Sequence, residues 1–260
     1  MASRTWQRGF SLVELMIVLA ILSVVMAVVF RDIDTAQKRY RVEENKLDIT
    51  QMSREFMDQF VRDLHQAGYP NASMYQAGVL MSPADNDDKN AVGLVSVSAT
   101  DVWFEGDVDG DGDVDSVRYT FQANASGECP CSILRSQVQK LDATAPTAQT
   151  QTYYVALENL INSGGAGGSG PGGSLNISGN SMFKGVSIAN NTLYAGYRSA
   201  PLFSAYDQSG APVTLPVDLT NPTELARIKT IRITLNVLAP YTDIQTGMRP
   251  AISLRAIANI

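Results

Sequence analysis

The chain has 260 residues, 45% of them apolar, and a formal net charge of −6. That length holds an anchor plus one folded domain of roughly 190 residues, and the acidity, with no continuous basic stretch, argues against a nucleic-acid groove. One histidine and two cysteines leave little material for a histidine-based metallohydrolase or for a disulfide framework spanning a domain.

The first element is an apolar run from Phe10 to Phe30 that carries a single charge, Glu14. About 20 apolar residues in a helix match the hydrocarbon thickness of a bilayer. Arg4 and Arg8 precede the run with no acidic neighbour, which favours a cytoplasmic N-terminus and an exported remainder. A cleaved secretory signal is the simple alternative, but Val24 to Phe30 offers Ala27 and no clean small-x-small site. The run passes directly into Arg31-Asp32-Ile33-Asp34, so the reading is a retained anchor. Glu14 within it costs about 2.5–3.5 kcal/mol on insertion scales, which marks it as a functional candidate. Its place about one turn inside the span leaves a tolerated interfacial acid as the alternative.

Gly9-Phe10-Ser11-Leu12-Val13-Glu14 resembles the class III signal of type IV pilins and type II secretion pseudopilins. The resemblance implies that residues 1–9 are a leader, that a prepilin peptidase cuts after Gly9, and that the new terminus, Phe10, is N-methylated. It implies also that Glu14 pairs with the terminal amine of a neighbouring subunit. That pairing is physically reasonable, since a buried carboxylate is tolerable when an ammonium group neutralises it. Residues 10–30 are then the membrane and assembly half of one long helix, 31–68 its amphipathic half, and 69–260 an exported β-rich domain. The partners implied are other pilins and minor pilins, the peptidase, and the bacterial inner membrane before assembly.

No glycine or proline falls between Phe10 and Ala67, so the helix is expected to continue without interruption. Ile49, Met52, Phe56, Phe60 and Leu64 recur at three- and four-residue spacing as one stripe, widened by Met57 and Val61. Arg54, Glu55, Asp58, Arg62 and Asp63 are read as the polar remainder. Too few heptads are present for a coiled coil, so the stripe is expected to lie on a sheet. Gly68-Tyr69-Pro70 terminates the helix, with His65 a capping or packing residue. The run Arg62 to Tyr69 is similar to the helix end of PilW-type minor pilins.

Beyond Pro70 the pattern is β with loops. Ala91–Ala99, Val102–Phe104, Val117–Phe121 and Ile133–Val138 are predicted strands. Between the second and third lies Glu105-Gly106-Asp107-Val108-Asp109-Gly110-Asp111-Gly112-Asp113-Val114-Asp115, six carboxylates in eleven residues. Counted from Asp107, Asp109, Asp111, Asp113 and Asp115 fall at positions 3, 5, 7 and 9 of an EF-hand loop, with Gly112 at 6. The chemistry expected is Ca²⁺ held by Asp107, Asp109, Asp111, Asp113 and Asp115 in a β-hairpin. Position 12, normally a bidentate Glu, is Arg118, so a further ligand is sought from Glu105, a carbonyl or water, and the affinity belongs near the millimolar end. A solvated acidic turn is the competing reading. Asp85-Asn86-Asp87-Asp88 lacks the glycine spacing and reads as a loop. Cys129-Pro130-Cys131 reads first as a local disulfide staple, next as free thiols, and last as a metal site, because two sulfurs do not complete one for zinc.

Tyr153–Ile161 is ambiguous between strand and helix. Gly164–Gly173 has no phosphate-binding spacing and is expected to be a surface loop, and loop insertions are expected around 70–90 and 162–180. Leu202–Tyr206 is a predicted strand followed by a turn at Asp207–Gly210, and Leu225–Ile228 a short helical turn. Ile231–Val237 and Ile252–Ile257 alternate as half-buried antiparallel partners do. Their order resembles the C-terminal part of PilW-type proteins. The fold class is therefore α+β, a pilin fold with a long N-terminal helix on an antiparallel sheet. The function expected is a minor pilin of a type IV pilus. A minor pseudopilin of type II secretion and a membrane-anchored, calcium-dependent adhesin are the alternatives, and no nucleophile–base set points to an enzyme.

Overall fold

The computed structural model describes residues 11–71, 74, 85–122, 131–162, 197, 200–240 and 248–260. Gly9, Phe10, Cys129, the glycine tract and most of the two expected loop insertions lie outside these residues. The chain divides into one unit that ends at Glu44 and a second from Asn45 to Ile260. Helix α1, Leu12–His65, contributes to both as 54 helical residues.

In the first unit the side chains of residues 11–34 are all exposed, including the apolar ones from Leu12 to Phe30. The long unbroken run of Leu, Ile, Val, Met and Ala has no internal breaker, and the i,i+4 pair Asp34–Lys38 at 2.5 Å follows it where the sequence turns polar.

In the second unit α1 buries Ile49, Ser53, Phe56, Met57, Phe60, Asp63 and Leu64. The stripe therefore passes through Ser53 rather than Met52, which is 53% exposed. Its face meets the sheet at an aromatic cluster. The Phe60 ring stands 5.1 Å from Tyr119 edge-on and 5.4 Å from Phe203 stacked, and Phe56 meets Tyr119 edge-on at 5.9 Å. Each such pair adds about 0.5–1.5 kcal/mol beyond the burial of its area.

The strands are β1 Leu94–Val97, β2 Asp101–Gly106, β3 Asp115–Gln122, β4 Cys131–Gln139, β5 Tyr153–Leu160, β6 Phe203–Tyr206, β7 Pro212–Val213, β8 Val217–Asp218, β9 Thr230–Leu238 and β10 Ala251–Asn259, with a short helix α2 at Pro222–Arg227. They form one sheet in the order β7-β6-β9-β5-β4-β3-β2-β1-β8, and β10 is hydrogen-bonded to β9. All pairings are antiparallel. The Tyr153–Ile161 segment resolves to strand. Its Tyr-Tyr-Val start favours extended backbone, and β4 supplies the partner that periodicity alone could not reveal. Two short strands, β7 and β8, escaped the sequence pattern because two-residue bridges carry no alternation.

One polar residue completes the sheet. Asn162 is fully buried, donates to Thr234 O at 2.7 Å and accepts from Asn236 N at 2.8 Å. Its amide thus replaces a strand partner where β9 passes from β6 to β5, and leaves no orphaned backbone group there.

Candidate functional site

Two places carry the chemistry singled out above. The first is the start of α1. Glu14 lies in the first helical turn, and Leu15 N donates to Ser11 O at 3.1 Å, so the turn that holds the acid is already helical. α1 is long and apolar enough to cross a membrane, and none of its most apolar window is buried in the protein. An apolar surface of this size does not stay in water. It suits lipid or the apolar faces of other helices.

The second is the β2–β3 hairpin. Its strands pair from Asp101↔Thr120 to Gly106↔Asp115, which leaves residues 107–114 as the loop. The end of α1 clamps its base. Gly68 N donates to Glu105 O and Asp107 N donates to Tyr69 O, both at 2.8 Å. Gly106 permits that approach, because a Cβ there would lie 2.1 Å from Gln66 O.

Within the loop Asp107 is buried and organises the turn, accepting from Gly110 N at 2.7 Å and Gly112 N at 3.1 Å. Gly110 and Gly112 have φ of +77° and +92°, a conformation that side chains disfavour. Asp109 and Asp111 accept in turn from the backbone N–H groups of Asp111 and Asp113. One carboxylate oxygen from each of Asp107, Asp109 and Asp111 lies within 4.8 Å of the others, a separation that oxygens at 2.3–2.6 Å from one Ca²⁺ can have.

The other two predicted ligands stand differently. Asp113 turns its carboxylate to Lys89 and to Gln139 Nε2, the latter at 2.8 Å. Position 7 of an EF-hand loop binds through its carbonyl, so this side-chain placement suits the pattern. Asp115 is buried and accepts from Gln137 Nε2 at 2.9 Å, and the same amide reaches Asp109 at 3.3 Å. Burial, and then the neighbouring charges of Asp109 and Asp111, push the Asp115 carboxyl up to about 6. A bound cation would offset the charges of both Asp109 and Asp111.

Glu105, the further ligand sought from the sequence, and Arg118, which stands at position 12, are both engaged elsewhere. Arg118 bonds Asp101 at 2.8 Å and stacks 4.7 Å over the Trp103 ring. Glu105 is fully buried, with Oε2 paired to Lys140 Nζ at 2.7 Å. Burial pushes its carboxyl up. Lys140 also donates to Asp85 O and Asn90 O, so the 85–90 loop is tied beside the hairpin and brings Lys89 to Asp113.

Cys131 is buried at the start of β4 and is disulfide-bonded. Its expected partner position, Cys129, lies outside the described residues.

A third cluster was misread from sequence. Asp63, assigned to the polar face of α1, is buried, and Arg135 of β4 bonds it at 2.7 Å. Tyr119 Oη donates to the same carboxylate oxygen at 2.5 Å, and Arg135 also bonds Tyr154 Oη and Gln137 Oε1. Burial, and then the Asp63 charge, raise the Tyr119 hydroxyl well above its usual range, so it remains a donor. The spacing did hold the signal, since Asp63 follows Phe56 by seven residues and shares its helix face.

Residues 7–30 match the family model for the prokaryotic N-terminal methylation motif. Neither a curated relative nor a solved structure matches the chain. A motif of this kind implies processing by a prepilin peptidase and assembly with other pilins, and it supports a pilin-like or pseudopilin class. The long apolar helix packed on an antiparallel sheet is consistent with the α+β pilin fold.

Proposed function

We propose that this chain is a minor pilin of a type IV pilus, a structural subunit that primes the filament or is built into it. The observation that carries the reading is the methylation motif over residues 7–30, set on a helix whose apolar window is uncovered among the described residues. Cleavage after Gly9 frees the amine of Phe10, and Glu14 of a neighbouring helix neutralises it, which offsets the cost of each charge in an apolar bundle. The exposed apolar surface then exchanges lipid for neighbouring subunits. Before assembly the chain is a single-pass inner-membrane protein with a cytoplasmic N-terminus and a periplasmic β domain.

The hairpin loop is proposed to hold Ca²⁺ through Asp107, Asp109 and Asp111, with Asp115 beside them and the Asp113 carbonyl in the fourth place. The ion would screen carboxylates that otherwise repel one another, and so stiffen a loop on the exported domain. Calorimetric titration that finds no Ca²⁺ binding at several millimolar removes this part of the proposal. A pseudopilin of type II secretion shares the same anchor, and a membrane-tethered adhesin shares the same loop. Deletion of the chain separates the three. The minor-pilin reading requires loss of surface pili with exoprotein secretion intact. Loss of secretion with normal piliation supports the pseudopilin, and no change in either rejects both filament readings.

A further inference from the structure

We propose that Gln137 is the positioning residue of the acidic hairpin: it holds Asp109 and Asp115 for a cation and ties both to the joint between α1 and the sheet. The inference rests on the calcium reading above and extends it to a residue outside the loop, 22 positions beyond Asp115.

Strand register puts Gln137 there. β3 and β4 pair Asp115↔Gln139 and Val117↔Gln137, so Asp115 is the diagonal neighbour of Gln137, within reach of a long side chain. Side chains two apart on a strand share a face, which sets Gln137 beside Arg135 and one step nearer the loop. That face is the one α1 covers, because Arg135 bonds Asp63 of α1 at 2.7 Å.

Both N–H groups and the carbonyl of the amide have partners. Nε2 donates to Asp115 Oδ2 at 2.9 Å and to Asp109 Oδ2 at 3.3 Å, and Oε1 accepts from Arg135 Nη2 at 2.9 Å. The reverse orientation would set the carbonyl against two carboxylates and the NH₂ group against a guanidinium, so electrostatics holds the amide one way round. Arg135 is itself fixed, with Nε donating to Asp63 at 2.8 Å and Nη1 to Tyr154 Oη. A continuous chain of bonds therefore runs from Asp63 through Arg135 and Gln137 to the hairpin.

This chain suits cation binding for two reasons. Asp109 is exposed, and an exposed side chain left free would lose rotamer entropy on taking up an ion; a bond to Gln137 orders it beforehand. A lysine in place of Gln137 would hold the same two carboxylates but neutralise the charge that attracts a cation. The neutral amide fixes their geometry and leaves that charge in place. Groups that orient metal ligands in this way typically account for about 10–100-fold in metal affinity.

Calorimetric Ca²⁺ titration of the full mature chain in detergent, paired with thermal melting in chelator, tests the proposal. Q137M keeps the length of the side chain and removes its hydrogen bonds, and it should raise the Kd for Ca²⁺ about tenfold. R135K keeps a charge for Asp63 but loses the planar fork that reaches Gln137, and it should raise the Kd about threefold. The Q137M/R135K double variant should bind no more weakly than Q137M, because the second change acts through the group already removed. A purely structural Gln137 would lower the melting temperature in chelator and leave the Kd unmoved. Equal Kd values for wild type and Q137M would overturn the inference while the calcium site stands, as would full additivity in the double variant. A wild-type chain that takes up no Ca²⁺ at several millimolar removes the calcium reading and this inference together.

Discussion

Replacing Asp115 by Asn probes the electrostatics of the hairpin directly. The wild-type carboxyl is raised from 3.8 to about 6 by burial and then by Asp109 and Asp111. A folded-state pKa above the unfolded one means that the protonated form is favoured in the fold. Its contribution is fully present below pH 3.8 and is lost as the pH rises through 6. At pH 7.5 without calcium the ionised Asp115 therefore costs up to about 3 kcal/mol, at 1.36 kcal/mol per unit. The Asn side chain keeps an oxygen for Gln137 Nε2 and carries no charge. In a chelator at pH 7.5 the variant should be the more stable protein by up to that amount, which corresponds to about 6–12 °C in melting temperature. The gap should close toward pH 4 and narrow in millimolar calcium, where the ion stabilises the wild type. Thermal unfolding across pH, with chelator and with calcium, measures all three. A variant less stable than wild type at pH 7.5 in chelator, or a gap independent of pH, would refute the reasoning.

Asp63→Ala leaves Arg135 buried without its carboxylate and should cost about 3–5 kcal/mol by chemical denaturation. The double change Asp63→Leu with Arg135→Met should recover much of that loss, and a double variant as weak as the single one would show that charge burial is not the cause. Gly106→Ala should destabilise by about 3 kcal/mol or more, since its Cβ would meet Gln66 O at 2.1 Å, and a cost under about 1 kcal/mol would mean that the helix end is not held there. Glu14→Ala should leave the chain in the membrane fraction but absent from sheared filaments by immunoblot, and unchanged incorporation would remove the assembly role.

Much of the architecture was legible because its signals are local and periodic. An apolar run without glycine or proline encodes α1, and strict alternation encodes β9 and β10. The interior polar groups were harder. Lys140 and Glu105 are 35 positions apart in sequence, and only the pairing of β2 with β3 and of β3 with β4 brings them together. Asp63 looked like a surface acid because nothing near it in sequence announces Arg135, 72 positions on. The acidic loop lay between these cases. Its aspartate–glycine spacing was visible, yet the structure was needed to separate the converging trio from Asp113, which turns to Lys89. The antiparallel partnership of β9 with β10 and the β2–β3 hairpin were legible from alternation and the intervening turn, whereas the adjacency of β5 and β9 at Leu160↔Val237 depends on tertiary packing.

Processing at Gly9 and Phe10 decides the filament assignment, and the intact mass of the mature protein extracted from membranes tests it. The mass predicted is that of a chain beginning at Phe10 and carrying one added methyl group on its terminal amine. A protein that still begins at Met1, or one recovered from the soluble fraction without its first thirty residues, would contradict the filament assignment.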